Sequence, residues 1–272
     1  MRILVFGDIH YPREGELLNE LLKLLAKEDF DYLAICGDII NFGNAEYLRK
    51  FLSIIHKRTE AKIIAVMGNH DFWLSKTAKK RGYTSWDLIK IYQQVFREFN
   101  DVLLWDKEYV VNKIGFVGVP GWYDYSFAAW HLRINRRVLD QGYYMGYQWN
   151  DAIYTRFDMR VEEILERNLI KLEKQLNNVR DIRAKRVIVL LHFVPLREFI
   201  VIRNNMEDFW NAYLGSYKLG ELIRKYKEYV NYVFFGHTDP RFLSAREKVI
   251  DGIRFINVDI SDGLENIFIL EI

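Results

Sequence analysis

The sequence predicts an α/β fold, and three observations carry that prediction. Short apolar runs rich in β-branched residues alternate with longer stretches of helical periodicity. The short runs are apolar at nearly every position, as suits strands of a sheet covered on both faces. Glycine with an acid, an amide or a histidine comes after one run after another, where a parallel sheet opens its ligand crevice.

The elements are taken in chain order. Met1 to Phe6 reads as a buried strand, and Glu16 to Ala26 as an amphipathic helix through Leu17, Leu18, Leu21, Leu22 and Leu25. Tyr32 to Cys36 is the second strand. Asn44 to Ile55 is a helix with Tyr47, Leu48, Phe51, Leu52 and Ile55 on one face, and Lys62 to Met67 is the third strand. Trp86 to Phe99 is helical and Val110 to Val119 reads as one further strand. Gly121 to Arg156 is irregular and dense in aromatics. Met159 to Val179 then holds helical spacing through Val161, Ile164, Leu165, Leu169, Leu172, Leu176 and Val179. Val187 to Leu191 and Val230 to Phe235 are strands flanking a helix from Tyr217 to Tyr226. Ile253 to Val258 and Ile267 to Ile272 form a strand-rich tail, parted by the turn signal Asp262-Gly263. One domain over residues 1–272, with an aromatic-rich insertion at about 121–156, is the expected organisation.

At 272 residues with half of them hydrophobic, the chain can bury a substantial core. Lys and Arg total 39 against 37 Asp and Glu, a net charge of +2 that argues against a general electrostatic grip on duplex nucleic acid or an anionic membrane. Cys36 is the single cysteine and lies inside an apolar run, so a buried thiol and a reducing setting are expected. No apolar stretch approaches the roughly 20 residues that span a bilayer, and the N-terminus lacks a secretory layout. Cytoplasmic localisation is the expectation.

The chemistry lies at the strand ends: Gly-Asp-Ile-His at 7–10, Gly-Asp at 37–38, Gly-Asn-His-Asp at 68–71, His192, and Gly-His-Thr-Asp at 236–239. Far apart in sequence, these residues converge if the strands share a carboxyl edge. Asp and Asn supply hard oxygen and His supplies imidazole nitrogen, a mixture suited to manganese, iron or zinc rather than to all-oxygen magnesium or calcium sites. So much charge in one place repels itself unless cations neutralise it. Each residue alone has a plainer reading, since Asp often caps a turn or a helix. Five such coincidences in order do not.

With these motifs the sequence resembles the calcineurin-like metallophosphoesterase superfamily, whose ordered signature is Asp-x-His, Gly-Asp, Gly-Asn-His-Asp/Glu, a lone His and Gly-His-x-His. The resemblance covers nearly the whole chain. It implies a four-layer αββα sandwich with two mixed β-sheets face to face and helices outside. It implies two divalent metal ions, manganese first and iron or zinc as alternatives: one bound by Asp8, His10 and Asp38, the second by Asp38, Asn69, His192 and His237. Asp38 is the implied bridge. His70 is implied as the catalytic side chain that faces the substrate phosphate, with Asp71 beside it either orienting His70 or capping the following segment.

The final His of the signature is replaced here by Asp239, which the resemblance makes a candidate ligand of the first metal through a harder, anionic donor. The implied reaction is cleavage of a small phosphomonoester or phosphodiester, of a nucleotide, lipid or sugar phosphate, by attack of a metal-bridging hydroxide. Asp38 is followed by Ile39-Ile40-Asn41 and not by Asp-Arg-Gly, which disfavours the protein Ser/Thr phosphatase branch. The chain leaves little room for the capping domain of the repair nucleases. A non-catalytic scaffold for protein binding is the competing class.

His56, at a helix end, and His131, beside Arg133, Arg136 and Arg137, are expected outside the ligand set. The rings of Trp122, Tyr123, Tyr125, Phe127, Trp130, Tyr143, Tyr144, Tyr147, Trp149 and Tyr154 are open to several uses. They can wall or lid a substrate site, make a dimer contact, or form a satellite core.

Overall fold

A computed structural model describes residues 1–12 and 16–272. The chain runs through β1 (Arg2–Phe6), α1 (Leu17–Leu25), β2 (Tyr32–Cys36), α2 (Ala45–His56) and β3 (Lys62–Val66). Next come α3 (Lys76–Lys80), α4 (Ser85–Glu98), β4 (Val102–Leu103), β5 (Tyr109–Val111) and β6 (Ile114–Gly118). The aromatic segment holds α5 (Arg136–Gln141), a small hairpin of β7 (Tyr143–Tyr144) and β8 (Tyr147–Gln148), and α6 (Asp151–Tyr154). The rest is α7 (Val161–Asp181), β9 (Arg186–Leu190), α8 (Tyr217–Arg224), β10 (Val230–Phe235), β11 (Glu247–Ile250), β12 (Ile253–Asn257) and β13 (Phe268–Glu271).

Two mixed sheets result. One has the order β13-β1-β2-β3-β4, parallel except for β13; the other has the order β11-β12-β10-β9-β6-β5, parallel through its four inner strands with antiparallel edges. Alternation along each strand builds the layers. Ile3, Val5, Ala34, Cys36, Ile64 and Val66 of the first sheet share one core with Ile114, Phe116, Ile188, Leu190, Phe234 and Ile256 of the second. Their strand neighbours Leu4, Phe6, Leu33, Ile35, Val187, Val189, Val233 and Phe235 belong to the other core, with the helix residues Leu21, Leu48, Phe51, Tyr92, Leu172 and Leu219. The sheets therefore meet face to face with helices outside, the expected four layers. The Cys36 thiol is buried between the sheets. No helix among the described residues is long and apolar enough to cross a membrane.

Local chemistry sets the boundaries. Asn44 caps α2 by accepting from the backbone N–H groups of Glu46 and Tyr47 at 2.9 and 3.2 Å. The strand expected over Val110 to Val119 is instead a hairpin, because Asn112 and Lys113 both adopt left-handed backbone at φ 48° and 62° and turn β5 back on β6. Asp251-Gly252 makes the corresponding turn between β11 and β12 at φ 52° and 81°. The tail is strand-rich as expected, with one more hairpin strand than the sequence announced.

Candidate metal centre

Each signature residue leaves the carboxyl end of a parallel strand: Asp8 after β1, Asp38 after β2, Asn69 after β3, His192 after β9 and His237 after β10. The turns are tight. Asp8, His10, Asp38 and His237 sit at φ 63°, 49°, 48° and 72°, a region sparsely used by residues other than glycine. The neighbouring glycines are a matter of space. A Cβ on Gly68 would stand 2.1 Å from Asp38 Oδ1, and one on Gly236 would stand 2.0 Å from Asp8 Oδ2. No larger residue leaves room for these carboxylates.

The hydrogen bonds on the outer side of each ligand fix which atoms face inward. His192 Nδ1 lies 2.9 Å from the Cys36 carbonyl oxygen, so it carries the proton and Nε2 is left as an acceptor. His237 Nε2 lies 3.2 Å from the Tyr213 carbonyl oxygen, which leaves Nδ1 as an acceptor. Asn69 donates from Nδ2 to Asp151 Oδ1 at 2.9 Å, so its Oδ1 is turned the other way. These three acceptors then face one another: Asn69 Oδ1 is 2.8 Å from His192 Nε2 and 3.1 Å from His237 Nδ1, and the two histidine nitrogens are 3.1 Å apart. Asp38 Oδ1 adds a fourth at 3.4 Å from His192 Nε2. Lone pairs at such distances repel unless a cation lies among them. The donor set Asp38, Asn69, His192 and His237 fits a divalent ion.

A second group lies beside it. His10 Nε2 is 3.6 Å and His70 Nε2 3.9 Å from Asp38 Oδ2, and the three residues offer donor atoms that all lie within 4.8 Å of one another. The same holds for Asp8, Asp38 and His192. Asn41 orients both rings, since its Oδ1 accepts from His70 Nδ1 at 2.7 Å and His10 Nδ1 at 3.2 Å. Asp8 is held from behind by the His237 backbone N–H, at 3.1 Å from each carboxylate oxygen.

The electrostatics agree with a cation site. Burial, then the charges of Asp259 and Asp38, push the Asp8 carboxyl well above the usual range. Burial and then Asp71 do the same to Asp38. Burial lowers His237 to about 3, and burial followed by the neighbouring His237 lowers His192. Without cations the carboxylates are driven towards protonation and the imidazoles are held neutral. Neutral imidazole is the form that ligates, and a divalent charge is what returns the carboxylates to their ionised form.

Two expected residues lie differently. The hydrogen bonds of the Asp71 side chain run to the loops around it. Its carboxylate is fully buried and accepts from the backbone N–H groups of Ile39, Ile40 and Gly68 and from the Tyr92 hydroxyl, at 2.8 to 3.2 Å. It clamps the loops after β2 and β3 together, on either side of Asp38 and Asn69. Asp239 is drawn off by Arg241, whose guanidinium reaches both carboxylate oxygens at 2.8 to 3.0 Å while Asp239 Oδ1 caps the Arg241 backbone N–H at 2.7 Å. Arg241 is held in turn by Asp262. Where a ligand was expected, the Asp239 carboxylate is engaged by a cation of this chain, Arg241. His56 pairs with Asp101 and His131 with Asp208, both outside the ligand groups, as expected.

Sequence reasoning missed Asn41 and Asp151. Asn41 was visible in the run after Asp38, but nothing in its spacing shows that it meets two histidines. Asp151 hides in the aromatic segment. Its buried carboxylate accepts from Asn69 Nδ2, from Trp73 Nε1 at 2.6 Å and from Trp149 Nε1 at 3.0 Å. The aromatic segment itself divides. Trp122, Tyr123 and Phe127 are buried in the core, Trp130 is exposed, and Trp149 comes to the ligand cluster, its ring centroid 5.7 Å from that of His237.

Comparison with known proteins agrees with this geometry. The model of the calcineurin-like phosphoesterases matches residues 1–240. The chain belongs to this family. The family implies divalent metal ions, and the cluster described above is where this member holds donors for them. Among solved structures, the chain is similar to phosphopantetheinyl hydrolase from Mycobacterium tuberculosis, at 16% identity and TM-score 0.68 over 95% of this chain and 88% of that one. It is similar to the protein TT1561 of Thermus thermophilus, at 14% identity and TM-score 0.56 over 96% and 91% of the two chains. A third likeness is to the anchor in the inner membrane complex of Plasmodium, at 12% identity and TM-score 0.50 over 96% and 72%. At these identities the likeness is one of fold. No curated protein matches this family member by sequence.

Proposed function

We propose that the protein is a dinuclear phosphohydrolase that cleaves a small phosphomonoester or phosphodiester. The observation that carries this reading is the convergence of inward-facing acceptors, Asn69 Oδ1, His192 Nε2 and His237 Nδ1, on one side of Asp38, with His10 and His70 on the other. Asp38, Asn69, His192 and His237 would hold one divalent ion, and Asp8, His10 and Asp38 a second. When bound, such ions would supply an activated water and positive charge for the phosphoryl oxygens. Manganese or iron suits this mixture of carboxylate, amide and imidazole.

The chain's own residues do the rest. Asn41 keeps the proton of His10 on Nδ1, so that Nε2 is the ligating atom. It fixes the His70 ring in the same way and leaves His70 Nε2 towards the substrate side. Burial, followed by the nearby His10, lowers His70 below its ordinary value, and an anionic phosphoryl group against Nε2 opposes that push. His70 then donates from Nε2 to the oxygen of the leaving group. Asp8 and Asp38 carry the charge that binds the ions, and the buried setting excludes bulk water.

A scaffold would not need these inward-facing tautomers, and that favours the enzyme. The test is His70→Ala. It should keep the metals per chain of the unsubstituted protein and lose turnover of an aryl phosphoester by about 10²- to 10⁴-fold, the usual weight of a positioned proton donor. Turnover unchanged in the variant removes His70 from the chemistry. A lost metal would make it a ligand. No hydrolysis by the unsubstituted chain of an aryl monoester or diester, with manganese, iron or zinc, favours the scaffold.

A further inference from the structure

A cavity of about 320 Å³ lies beside the candidate metal centre, with Asn69 and His70 among its lining residues. Its walls are three indoles, Trp73, Trp149 and Trp210. Two of them are fixed before any ligand arrives. Trp73 and Trp149 both give their N–H to the buried Asp151 carboxylate, so their polar edges are used and what each offers a ligand is ring carbon. Their orientation is set as well: Tyr213 stacks on Trp149 at 4.8 Å and 15°, and His70 on Trp73 at 3.5 Å and 25°. Trp210 leans on Trp149 at 5.9 Å and 52°. Among the described residues, no lysine or arginine lines the cavity. The side-chain amides of Gln148 and Asn150 supply hydrogen-bonding groups.

We propose that this cavity is the leaving-group subsite and that it takes a planar heteroaromatic ring, a nucleobase, attached through its sugar to the phosphoester. The proposal rests on the phosphohydrolase reading for the word leaving group. His70 lines the cavity and lies 3.9 Å from Asp38 Oδ2, so a substituent lying in the cavity is the one whose oxygen His70 would protonate. The volume stands at the small end of ligand sites, which run from roughly 300 to 1,000 Å³, and suits one ring system rather than a long chain. Aromatic walls stack on any base, and amides can meet its heteroatoms. In the hydrolysis, the water oxygen bonds to phosphorus as the ester P–O bond breaks; the departing oxygen takes the proton from His70, and the proton released by the water restores it.

Adenosine isolates the subsite from the chemistry, because it has no phosphoester. Equilibrium dialysis on the manganese-loaded full chain compares adenosine, phenol, hexanol and ribose. Adenosine should bind with saturation at least about tenfold more tightly than ribose or hexanol, a margin within what stacking one base supplies, and more tightly than phenol. Trp210→Ala should weaken adenosine at least about tenfold, and Trp210→Phe, which keeps a ring, should recover most of it. Adenosine no better than ribose overturns the subsite. Hexanol equal to adenosine makes the cavity a merely apolar one, phenol equal to adenosine removes the heteroaromatic preference, and indifference to both Trp210 substitutions removes the aromatic wall. Any of these with phosphoester hydrolysis intact sinks the subsite alone. Adenosine binding without hydrolysis of any phosphoester sinks the phosphohydrolase reading instead.

Discussion

Asp151 Oδ1 accepts a hydrogen bond from Asn69 Nδ2 at 2.9 Å, and by that contact the aromatic segment decides which end of the Asn69 amide faces the candidate metal centre. The same carboxylate holds two indoles. An ionised carboxylate only accepts, so all three donors are satisfied at once.

Asp151→Asn breaks that agreement. An asparagine must turn one N–H towards a donor, which frees Asn69 to rotate or leaves an indole N–H without a partner. Manganese affinity, measured by titration calorimetry, should fall by about 10- to 100-fold, the usual weight of a residue that orients a ligand. Unchanged affinity would show that Asn69 keeps its orientation without help.

Asn41→Ala should act on both sides of the centre, because one oxygen fixes the tautomers of His10 and His70. Turnover of an aryl phosphoester should fall by about 10- to 100-fold. The loss should exceed that of His10 or His70 misorientation taken singly, and kcat should carry more of it than KM. A variant with the parent kcat contradicts this role.

Much of this was legible in the sequence. The alternation of strands and helices and the five strand ends were readable because each is local in sequence, and the structure brings Asp8, His10, Asp38, Asn69, His70, His192 and His237 together. What was not legible depends on contacts between distant segments. Asp239 and Arg241 are two residues apart, yet their pairing depends on the conformation of a short turn. Asp71 was open between orienting His70 and capping the following segment, and the sequence did not show that the chain folds its carboxylate onto the backbone of β2's outgoing loop. Asp151 reaches Asn69 across 82 positions, and no periodicity announces such a contact.

Asp239→Asn tests whether that residue serves the turn or a metal. Metals per chain, counted by elemental analysis, should stay as in the parent. Stability should drop by about 1 kcal/mol through the weakened turn cap and lost ion pair, seen as a lower Tm. A lost equivalent of metal with unchanged Tm would restore Asp239 to the ligand set.

His56 gives a pH dependence away from the centre. Its Nε2 lies 2.8 Å from Asp101 Oδ2, and that hydrogen bond raises the imidazole above its ordinary value of about 6.5. A raised value in the folded state means stabilisation that is full below the unfolded value and lost as pH rises through the folded one. The Tm gap between the parent and His56→Gln should therefore be widest below about pH 6.5 and narrow as the pH rises, with under about 1 kcal/mol at stake for a partly exposed pair. A gap constant with pH rules the ion pair out.

The central claim is that these strand ends hold two divalent ions that together hydrolyse a phosphoester. The direct measurement is turnover of an aryl phosphoester while manganese is titrated into the chelator-treated full chain, with bound metal counted in the same samples. The account predicts no turnover at the start, a rise as metal binds, and a plateau at two ions per chain. Turnover that survives chelation, or none at any metal content, would contradict it.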